Sequence, residues 1–326
     1  MGRAVLAVVL VACGQPSRVT IEETPPSSVA RVVPRVDAAV PAPCADEAAP
    51  YDEAALRARL AILASKDLDG RVPGTAGDTA ARAYITERFR CLGIAEAGTT
   101  GYEQPFDAAG HATANLVGTI AGTTDDIVLI GAHFDHLGNG KLGANDNASG
   151  VVAMLAIAQA MHQQGVKPRR TVAFVAFGGE ELGELGSRYF VAHPPAAIAL
   201  DHIVYDINLD MLGSYKSHDF VAAMGTYPKM PARAIMDRLV DPKLHVGLGG
   251  RGADSDHEAF CKRGIPYVFF WTPDAACYHA TCDTVDHVDL PHYAKIAALA
   301  GALVAELAET EVDLAAARRR LGCTGR

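Results

Sequence analysis

The sequence predicts an α/β protein, a three-layer αβα sandwich with a mixed, mainly parallel central sheet. The first indication is that short apolar runs rich in β-branched residues alternate along the chain with longer runs of helical periodicity. The second is composition: 49% of residues are hydrophobic but only 6% are aromatic, so the core must be built mainly from Ala, Val, Leu and Ile. The third is length, because 326 residues suffice for one large domain or two small ones.

The predicted elements follow one another in a simple order. Two amphipathic helices come first, "YDEAALRARLAILAS" and "DTAARAYITERFRCLGI", with the turn cluster "DGRVPGTAG" between them. Sheet-forming runs then alternate with helical runs, and the main ones are "DIVLIGAHF", "TVAFVAFG", "HIVYDINLD" and "IPYVFFW". The apolar stripe of "YAKIAALAGALVAELAE" predicts a closing helix that covers the sheet. We therefore expect residues 51–326 to form a single catalytic domain.

The N-terminal segment is typical of an export signal. One Arg precedes the apolar stretch Ala4 to Ala12, which is too short to span a bilayer as a helix. Its end, "LVAC", resembles the bacterial lipobox, so we expect residues 1–13 to be a leader that ends at an acylated Cys13. Residues 14–50, rich in Pro, Ala and Ser, are expected to be a flexible tether.

This N-terminal pattern predicts an exported bacterial lipoprotein of the outer membrane and periplasm or the cell surface. Gly14 follows the cysteine where an Asp would mark retention, and by the same resemblance this favours the outer membrane. An ordinary signal peptide that is cut elsewhere is the alternative. A lipid anchor at Cys13 would make the membrane a partner, while the domain itself is expected to be a monomer.

Charge and cysteines narrow the possibilities further. A formal net charge of -9, without large Lys and Arg clusters, argues against a phosphate-binding surface, so nucleic acid is not an expected partner. Lipidation of Cys13 would leave six of the seven cysteines, an even set that permits disulfides in an oxidising compartment. Cys277 and Cys282 can bridge if their Cα atoms lie within about 7 Å. A zinc-ribbon half-site would need a second close pair, which the sequence lacks.

Potential metal ligands follow the strands of the predicted sheet. Each residue alone is typical of a hydrogen-bonded histidine, a helix cap or a solvated helix start. Functional groups of open α/β sheets, however, collect beyond the C-terminal ends of the strands, and many buried carboxylates together are costly without cations. We therefore expect a two-zinc centre, with one carboxylate bridging metals about 3.5–4 Å apart, formed by His133, Asp146, Glu181, Asp210 and His279.

Asp135, two residues beyond His133, is the expected acceptor for the other N–H of that imidazole. The strand would then end by presenting a ligand together with the residue that orients it. Two competing motifs are set aside. "GLGGRG" has the dinucleotide glycine pattern without the βαβ context, and "HEAFC" lacks the second histidine of a zincin helix.

Five motifs, in this order, resemble those of the two-zinc exopeptidases of metallopeptidase family 28. That family includes bacterial secreted (leucyl) aminopeptidases, glutamate carboxypeptidase and the transferrin receptor. The match covers roughly Asp69 to Asp289 and implies the zinc-peptidase fold, which is phosphorylase/hydrolase-like. The motifs are "AHFDHLG", "GANDNASG", "FGGEELGELGS", "NLDMLG" and "YHATCDT".

The resemblance implies a division of the ligands between two zinc ions. His133 and Asp210 would bind one ion, His279 and Glu181 the other, and Asp146 would bridge them. The family also has a cis peptide after its bridging aspartate, which would fall between residues 146 and 147.

The resemblance also implies catalytic roles. Glu180 would be the general base that takes a proton from the attacking water and later gives it to the leaving amine. Tyr278 resembles the tyrosine that stabilises the tetrahedral oxyanion, with a packing role as the alternative. Asp135 would support catalysis by orienting His133.

These roles predict a metallo-aminopeptidase with two Zn²⁺ per chain that hydrolyses peptides at a free N-terminus. The chain lacks room before "DIVLI" for the protease-associated insertion of the carboxypeptidase-like relatives. Two alternatives remain: a glutaminyl-peptide cyclotransferase, which shares the fold but uses one zinc, and a non-catalytic, lipid-tethered binding protein. Zinc is inferred from ligand type, and cobalt or manganese suit the same geometry.

Overall fold

The computed structural model describes residues 49–165, 167–252 and 254–324. The predicted leader and the predicted tether up to residue 48, including Cys13, lie outside the described residues. Within the described part, no helix is both long and apolar enough to cross a bilayer.

The first two helices begin where the sequence supplies capping side chains. Helix α1 (Glu53–Leu63) follows Asp52, whose carboxylate accepts the backbone N–H of Ala55. Helix α2 (Ala76–Cys91) follows Thr75, whose hydroxyl oxygen accepts the N–H of Asp78. The later helices are α3 (Ser149–Gln164), α4 (Leu185–Ala192), α5 (Tyr215–His218), α6 (Pro231–Leu239), α7 (His257–Cys261), α8 (Leu290–Glu309) and α9 (Leu314–Leu321).

Within the described residues, nine strands form one mixed sheet. They are β1 (Ala95–Glu96), β2 (Glu103–Ala108), β3 (His111–Ile120), β4 (Thr124–His133), β5 (Arg170–Phe177), β6 (Ile203–Leu209), β7 (Val221–Met224), β8 (Val246–Leu248) and β9 (Tyr267–Trp271). Their order is β1-β3-β5-β4-β6-β9-β7-β8, and β2 pairs with the outer side of β3. The central strands β5, β4, β6 and β9 are parallel, and antiparallel pairs flank them on both sides.

Both faces of the sheet are buried. Along β4, Val128 and Ile130 point into one apolar core, which α1, α2, α3 and α8 cover, whereas Ile127 and Leu129 point into a second core on the opposite face. This two-sided burial explains why the central strands are almost continuously apolar. The predicted αβα sandwich with a mixed, centrally parallel sheet is confirmed.

The structure adds elements that the sequence patterns did not indicate. The β2–β3 hairpin, which comes after α2 and before β4 in the chain, adds two strands to the sheet. A short strand, β8, includes the first two residues of "GLGGRG", but no helix follows it directly.

Disulfides involve at least five cysteines. Cys277 and Cys282 are bridged, with their Cα atoms 5.3 Å apart. Cys261 pairs with Cys323, which ties the end of α7 to the segment after α9, and Cys91 is also disulfide-bonded. The sequence indicated that Cys277 and Cys282 could pair, but it did not indicate the pair formed by Cys261 and Cys323.

Candidate active site

The predicted site residues meet at one edge of the sheet. Strands β4, β5, β6 and β9 are neighbours and parallel, so their C-terminal ends lie side by side. The end of β4 carries His133, the loop after β5 carries Glu180 and Glu181, and Asp210 directly follows β6. The loop after β9 carries His279, and Asp146 precedes α3.

The first group of possible ligands surrounds the His133 imidazole. Its Nε2 lies 3.3 Å from Asp210 Oδ1 and 3.5 Å from Asp146 Oδ1. All three side chains are almost completely buried. Their ligand atoms lie within 4.8 Å of one another, as expected for donors that share one cation.

The second group uses the other oxygen of the same aspartate. His279 Nε2 lies 3.2 Å from Asp146 Oδ2 and 3.1 Å from Glu181 Oε2. Asp146 thus presents one oxygen to each group, which is the arrangement of a bridging carboxylate. The peptide bond from Asp146 to Asn147 is cis, as the family resemblance implies.

These distances fit zinc. Bond lengths of about 2.0–2.2 Å place neighbouring donors of a tetrahedral zinc ion about 3.3–3.6 Å apart. The spacings around His133, 3.3 and 3.5 Å, match this value and are long for hydrogen bonds between nitrogen and oxygen, whereas those around His279, 3.1 and 3.2 Å, are slightly shorter and also within hydrogen-bond range. Asp146 Oδ2 is buried and accepts no well-aligned hydrogen bond from any described residue. The donor set is nitrogen and oxygen without thiolate, which suits metals that keep open positions.

The pKa shifts of the buried groups also favour bound cations at this site. Burial raises the pKa of Glu181 and Asp146, and the neighbouring Asp210 raises both further. Burial opposes ionisation of His133, but the carboxylates of Glu180 and Asp210 hold its pKa well above the ordinary value. Two divalent ions would offset the repulsion between these buried carboxylates and favour their ionised forms.

Glu180 lies beside the ligand groups. Its Oε2 is 3.9 Å from His133 Nε2, and its side chain is 16% exposed, more than that of Asp146 or Glu181. Burial raises the pKa of Glu180 to about 10, and the nearby carboxylates of Asp256 and Asp210 add to this effect. At this pKa the group is neutral near pH 7, and two divalent ions beside it would lower the pKa, so that an ionised Glu180 could take a proton from a bound molecule.

Asp135 is buried at the end of β4, but its contacts differ in detail from the expectation. His133 Nδ1 lies 3.2 Å from the backbone oxygen of Asp135 and 3.9 Å from its carboxylate. The carboxylate instead accepts the backbone N–H groups of Glu180, at 3.0 Å, and Glu181, at 3.3 Å. Asp135 therefore orients the imidazole through its main chain and the two glutamates through its side chain.

Tyr278 stands at the entrance, 55% exposed, with its ring stacked on His279 at a centroid distance of 3.8 Å. It lines a cavity of about 440 Å³ that opens onto the ligand groups. The cavity walls also include Met211, Phe269 and Trp271, while Glu180 and Asp210 contribute carboxylates. A mainly apolar cavity with a few convergent polar groups is the usual form of a small-ligand site.

Three residues around the site were given no role from the sequence. Arg71 is fully buried and donates to the backbone oxygens of Phe134, Leu142 and Gly143, so it links the loops that carry the ligands. The carboxylate of Asp283 accepts the N–H of Asn145 at 2.7 Å and that of Asp146 at 3.0 Å. The third is His136, three residues after His133.

Signals for these residues were present but not specific. Arg71 belongs to the turn cluster "DGRVPGTAG", Asp283 to "YHATCDT", and the extra histidine, His136, to "AHFDHLG". Its imidazole is buried, with Nδ1 2.6 Å from Glu181 Oε1. Sequence spacing alone cannot distinguish such supporting groups from ordinary loop residues.

Two curated relatives align with most of this chain. The leupeptin-inactivating enzyme 1 of Streptomyces exfoliatus is 30% identical over 282 residues, covering 78% of this chain and 62% of the relative. The probable lipoprotein aminopeptidase LpqL of Mycobacterium tuberculosis is 27% identical over 282 residues, covering 73% of this chain and 55% of the relative. The chain thus spans a little over half the length of these relatives.

Two solved structures share the fold. One is BSAP, a zinc aminopeptidase from Bacillus subtilis, with a TM-score of 0.67, 18% identity, and coverage of 82% of this chain and 98% of that one. The other is the glutaminyl cyclase of Porphyromonas gingivalis, with a TM-score of 0.67, 20% identity, and coverage of 80% of this chain and all of that one. At these identities the likeness concerns the fold alone.

The family assignment rests on a separate comparison. The model of Peptidase family M28 matches residues 115–304, more than half of the chain. That segment holds β4, β5, β6 and β9 and every residue of both ligand groups. The chain therefore belongs to peptidase family M28.

Proposed function

We propose that this chain is a zinc-dependent aminopeptidase that removes the N-terminal residue of peptides. The observation that carries the proposal is the shared carboxylate: Asp146 offers one oxygen to His133 and Asp210, and the other to His279 and Glu181. This arrangement supports two cations side by side at the mouth of a cavity. Family membership and the printed names of the relatives support the same reaction.

Two zinc ions, when bound, would supply Lewis-acid polarisation of the scissile carbonyl and positive charge that makes water more acidic. His133 with Asp210 would hold one ion, and His279 with Glu181 the other. Asp135 would keep both glutamates in place through their backbone N–H groups.

Glu180 would move the proton. Its carboxylate faces the cavity next to His133 without belonging to either ligand group, so it is free to act as general base towards the attacking water. The same group would then return the proton to the leaving amine. Tyr278, stacked on His279 at the entrance, would direct its hydroxyl at the developing oxyanion.

The cavity suits one end of a peptide. Carboxylates of Glu180 and Asp210 would attract a protonated α-amine, while Met211, Phe269 and Trp271 would surround the first side chain. The following experiment also determines which N-terminal side chain is preferred. Digestion of a mixed peptide library, followed by mass spectrometry, should show loss of single residues from free N-termini. Peptides with acetylated N-termini should persist, and trimming from the carboxyl end would overturn the proposal.

Glutaminyl cyclisation is the second candidate, because a glutaminyl cyclase has the same fold with a TM-score of 0.67. Five residues with ligand chemistry at two adjoining positions favour hydrolysis here. Metal analysis distinguishes the candidates: two zinc ions per chain and release of free amino acids support the peptidase. One zinc ion, with conversion of N-terminal glutamine to a cyclic product, would support the cyclase.

We also propose that the protein is exported and anchored by a lipid at Cys13, with residues 14–50 as a tether and residues 51–326 as a monomeric catalytic domain. The lipobox-like "LVAC" and the printed name of the mycobacterial relative support this proposal. Expression in a bacterial host should place the protein in the membrane fraction, with radiolabelled palmitate incorporated. Replacement Cys13→Ser should abolish labelling, and persistent labelling would contradict the proposal.

A further inference from the structure

Among the described residues around the site, His136 is an imidazole to which the proposed mechanism gives no task. It follows β4 by three residues, and its side chain is completely buried. Its Nδ1 lies 2.6 Å from Glu181 Oε1 and 3.7 Å from Asp146 Oδ2. Its ring is close to that of His279, with centroids 5.7 Å apart. The ligand atoms of His136, Asp146 and Glu181 also lie within 4.8 Å of one another, so by position alone His136 and His279 are both candidates to ligate the second cation.

The distances separate the two histidines. Donors on one zinc ion lie about 3.3–3.6 Å apart in a tetrahedron and still about 2.9 Å apart at a right angle. His279 Nε2, at 3.1 and 3.2 Å from its two carboxylate oxygens, fits within this range. The 2.6 Å separation of His136 from Glu181 is too short for two ligands of one ion and is the length of a strong hydrogen bond.

The surroundings of His136 leave it little freedom. A Cβ at Gly143 would lie 2.6 Å from Cγ of His136, so the backbone of that loop presses directly on the ring. The carbonyl of Gly143 is in turn held by Arg71 at 2.9 Å. Nε2 of His136 is buried and has no hydrogen-bond partner among the described residues, so the ring acts on the site through Nδ1.

We propose that His136 is a positioning residue for the second cation. Its Nδ1–H donates to Oε1 of Glu181, which turns Oε2 of that carboxylate towards His279 and makes Glu181 a ligand through one oxygen. The proposal rests on the proposed two-cation site and assigns this chain's second histidine of "AHFDHLG" to its support. Residues that orient metal ligands in this way typically contribute about 10- to 100-fold to metal affinity.

The test compares variants that keep or remove the donor. An asparagine amide can place its nitrogen where Nδ1 of His136 lies, so His136→Asn retains the hydrogen bond but not an imidazole ligand. His136→Ala removes both. His292→Ala is the matched control, because His292 Nδ1 also bonds a carboxylate, that of Asp289 at 2.7 Å, in a helix on another part of the fold.

Stepwise affinities for two cations would be measured on purified, metal-free protein by competition with a chromophoric chelator, and Co²⁺ absorption would report the geometry of each site. We expect His136→Ala to bind the second ion about 10- to 100-fold more weakly, with the first ion and the fold retained. His136→Asn should recover most of that loss, and His292→Ala should match the wild type. Circular dichroism and thermal melting would confirm that each variant is folded.

Other outcomes would overturn the inference in distinguishable ways. If His136→Asn binds the second ion as weakly as His136→Ala, the imidazole is a ligand rather than a hydrogen-bond donor. If both ions weaken equally in His136→Ala, the residue supports the fold and not the second ion. If the wild type itself binds a single ion, the two-cation site fails, and the inference fails with it.

Discussion

The replacement Glu180→Gln tests the most specific assignment in the site. An amide has the volume of the carboxylate but cannot take up a proton from water. The backbone N–H of Glu180 is anchored by Asp135 at 3.0 Å, and its Oε2 lies 3.9 Å from His133 Nε2, outside both ligand groups. The variant should therefore keep its metal and its fold while losing proton transfer.

The expected magnitude follows from that separation of roles. Loss of a general base typically lowers turnover by about 10²- to 10⁴-fold. We expect kcat to fall within this range, while KM and the number of bound zinc ions, measured by mass spectrometry of the metals, stay close to the wild-type values. Glu184→Gln in the same loop is a matched control, because Glu184 pairs with Arg188 at 3.2 Å and contributes to neither group.

The result that would refute the reasoning is a kcat within tenfold of the wild type with both ions bound. The proton would then be taken by another group, and Glu180 would be a residue of the cavity wall. Loss of metal together with loss of activity would refute it differently, by showing that Glu180 is a ligand.

Three further predictions concern metal, pH and the entrance loop. Chelation should abolish hydrolysis and lower the melting temperature, and added zinc should restore both. A metal ion whose free concentration is 1,000 times its Kd stabilises the fold by about 4 kcal/mol. An unchanged melting temperature would contradict this prediction. Burial holds the pKa of Asp206 well above its ordinary value. The folded state therefore holds this proton to a higher pH than the unfolded chain, which ionises above about pH 4, so stability falls as pH rises above that value, by at most about 1.4 kcal/mol for each pH unit. Asp206→Asn should flatten the dependence of unfolding free energy on pH between 5 and 8, whereas an unaltered slope would count against a buried neutral carboxyl. Replacing Cys277 and Cys282 by alanine should lower the free energy of unfolding by about 2 kcal/mol in chemical denaturation. It should also raise KM, because the loop closed by this disulfide carries His279. A variant equal to the wild type in both stability and KM would show that the loop keeps its conformation without the disulfide.

That the proposed ligand residues lie close together could be predicted from the sequence, because the C-terminal ends of parallel strands meet at one edge of the sheet. Once "DIVLIGAHF", "TVAFVAF" and "HIVYDINLD" are read as neighbouring parallel strands, the polar residues after them must lie close together. The order of the strands, β5-β4-β6-β9, then places the two histidines near the same aspartate. The number of carboxylates at these strand ends supported the same prediction, because several buried carboxylates close together are costly without cations.

The supporting residues could not be predicted in the same way. Whether His136 ligates a metal or bonds Glu181 depends on a difference of about 0.5 Å between a hydrogen bond and a shared ligand position. Arg71 acts on three backbone oxygens, and Asp283 on two backbone N–H groups, so no side-chain pattern marks either of them.

The β2–β3 hairpin was missed for a local reason. Pro105 lies inside β2, where proline argues against a central strand, and it is tolerated because β2 is at the edge and pairs with β3 alone. The turn is a two-residue Ala109–Gly110 connection with positive φ at both positions, 55° and 91°. Such a turn usually carries Asn-Gly or Asp-Gly, and alanine at its first position weakens the signal.

The spacing of the site along the polypeptide has a consequence for biogenesis. The first and last proposed ligands, His133 and His279, are separated by nearly half of the sequence, and the backbone N–H of Asp146 has its hydrogen-bond acceptor only once Asp283 is present. The chain therefore cannot assemble the proposed centre until the segment with residues 279–283 has been synthesised. A shortened product that stops before residue 279 would lack one proposed ligand and, with it, the proposed aminopeptidase centre.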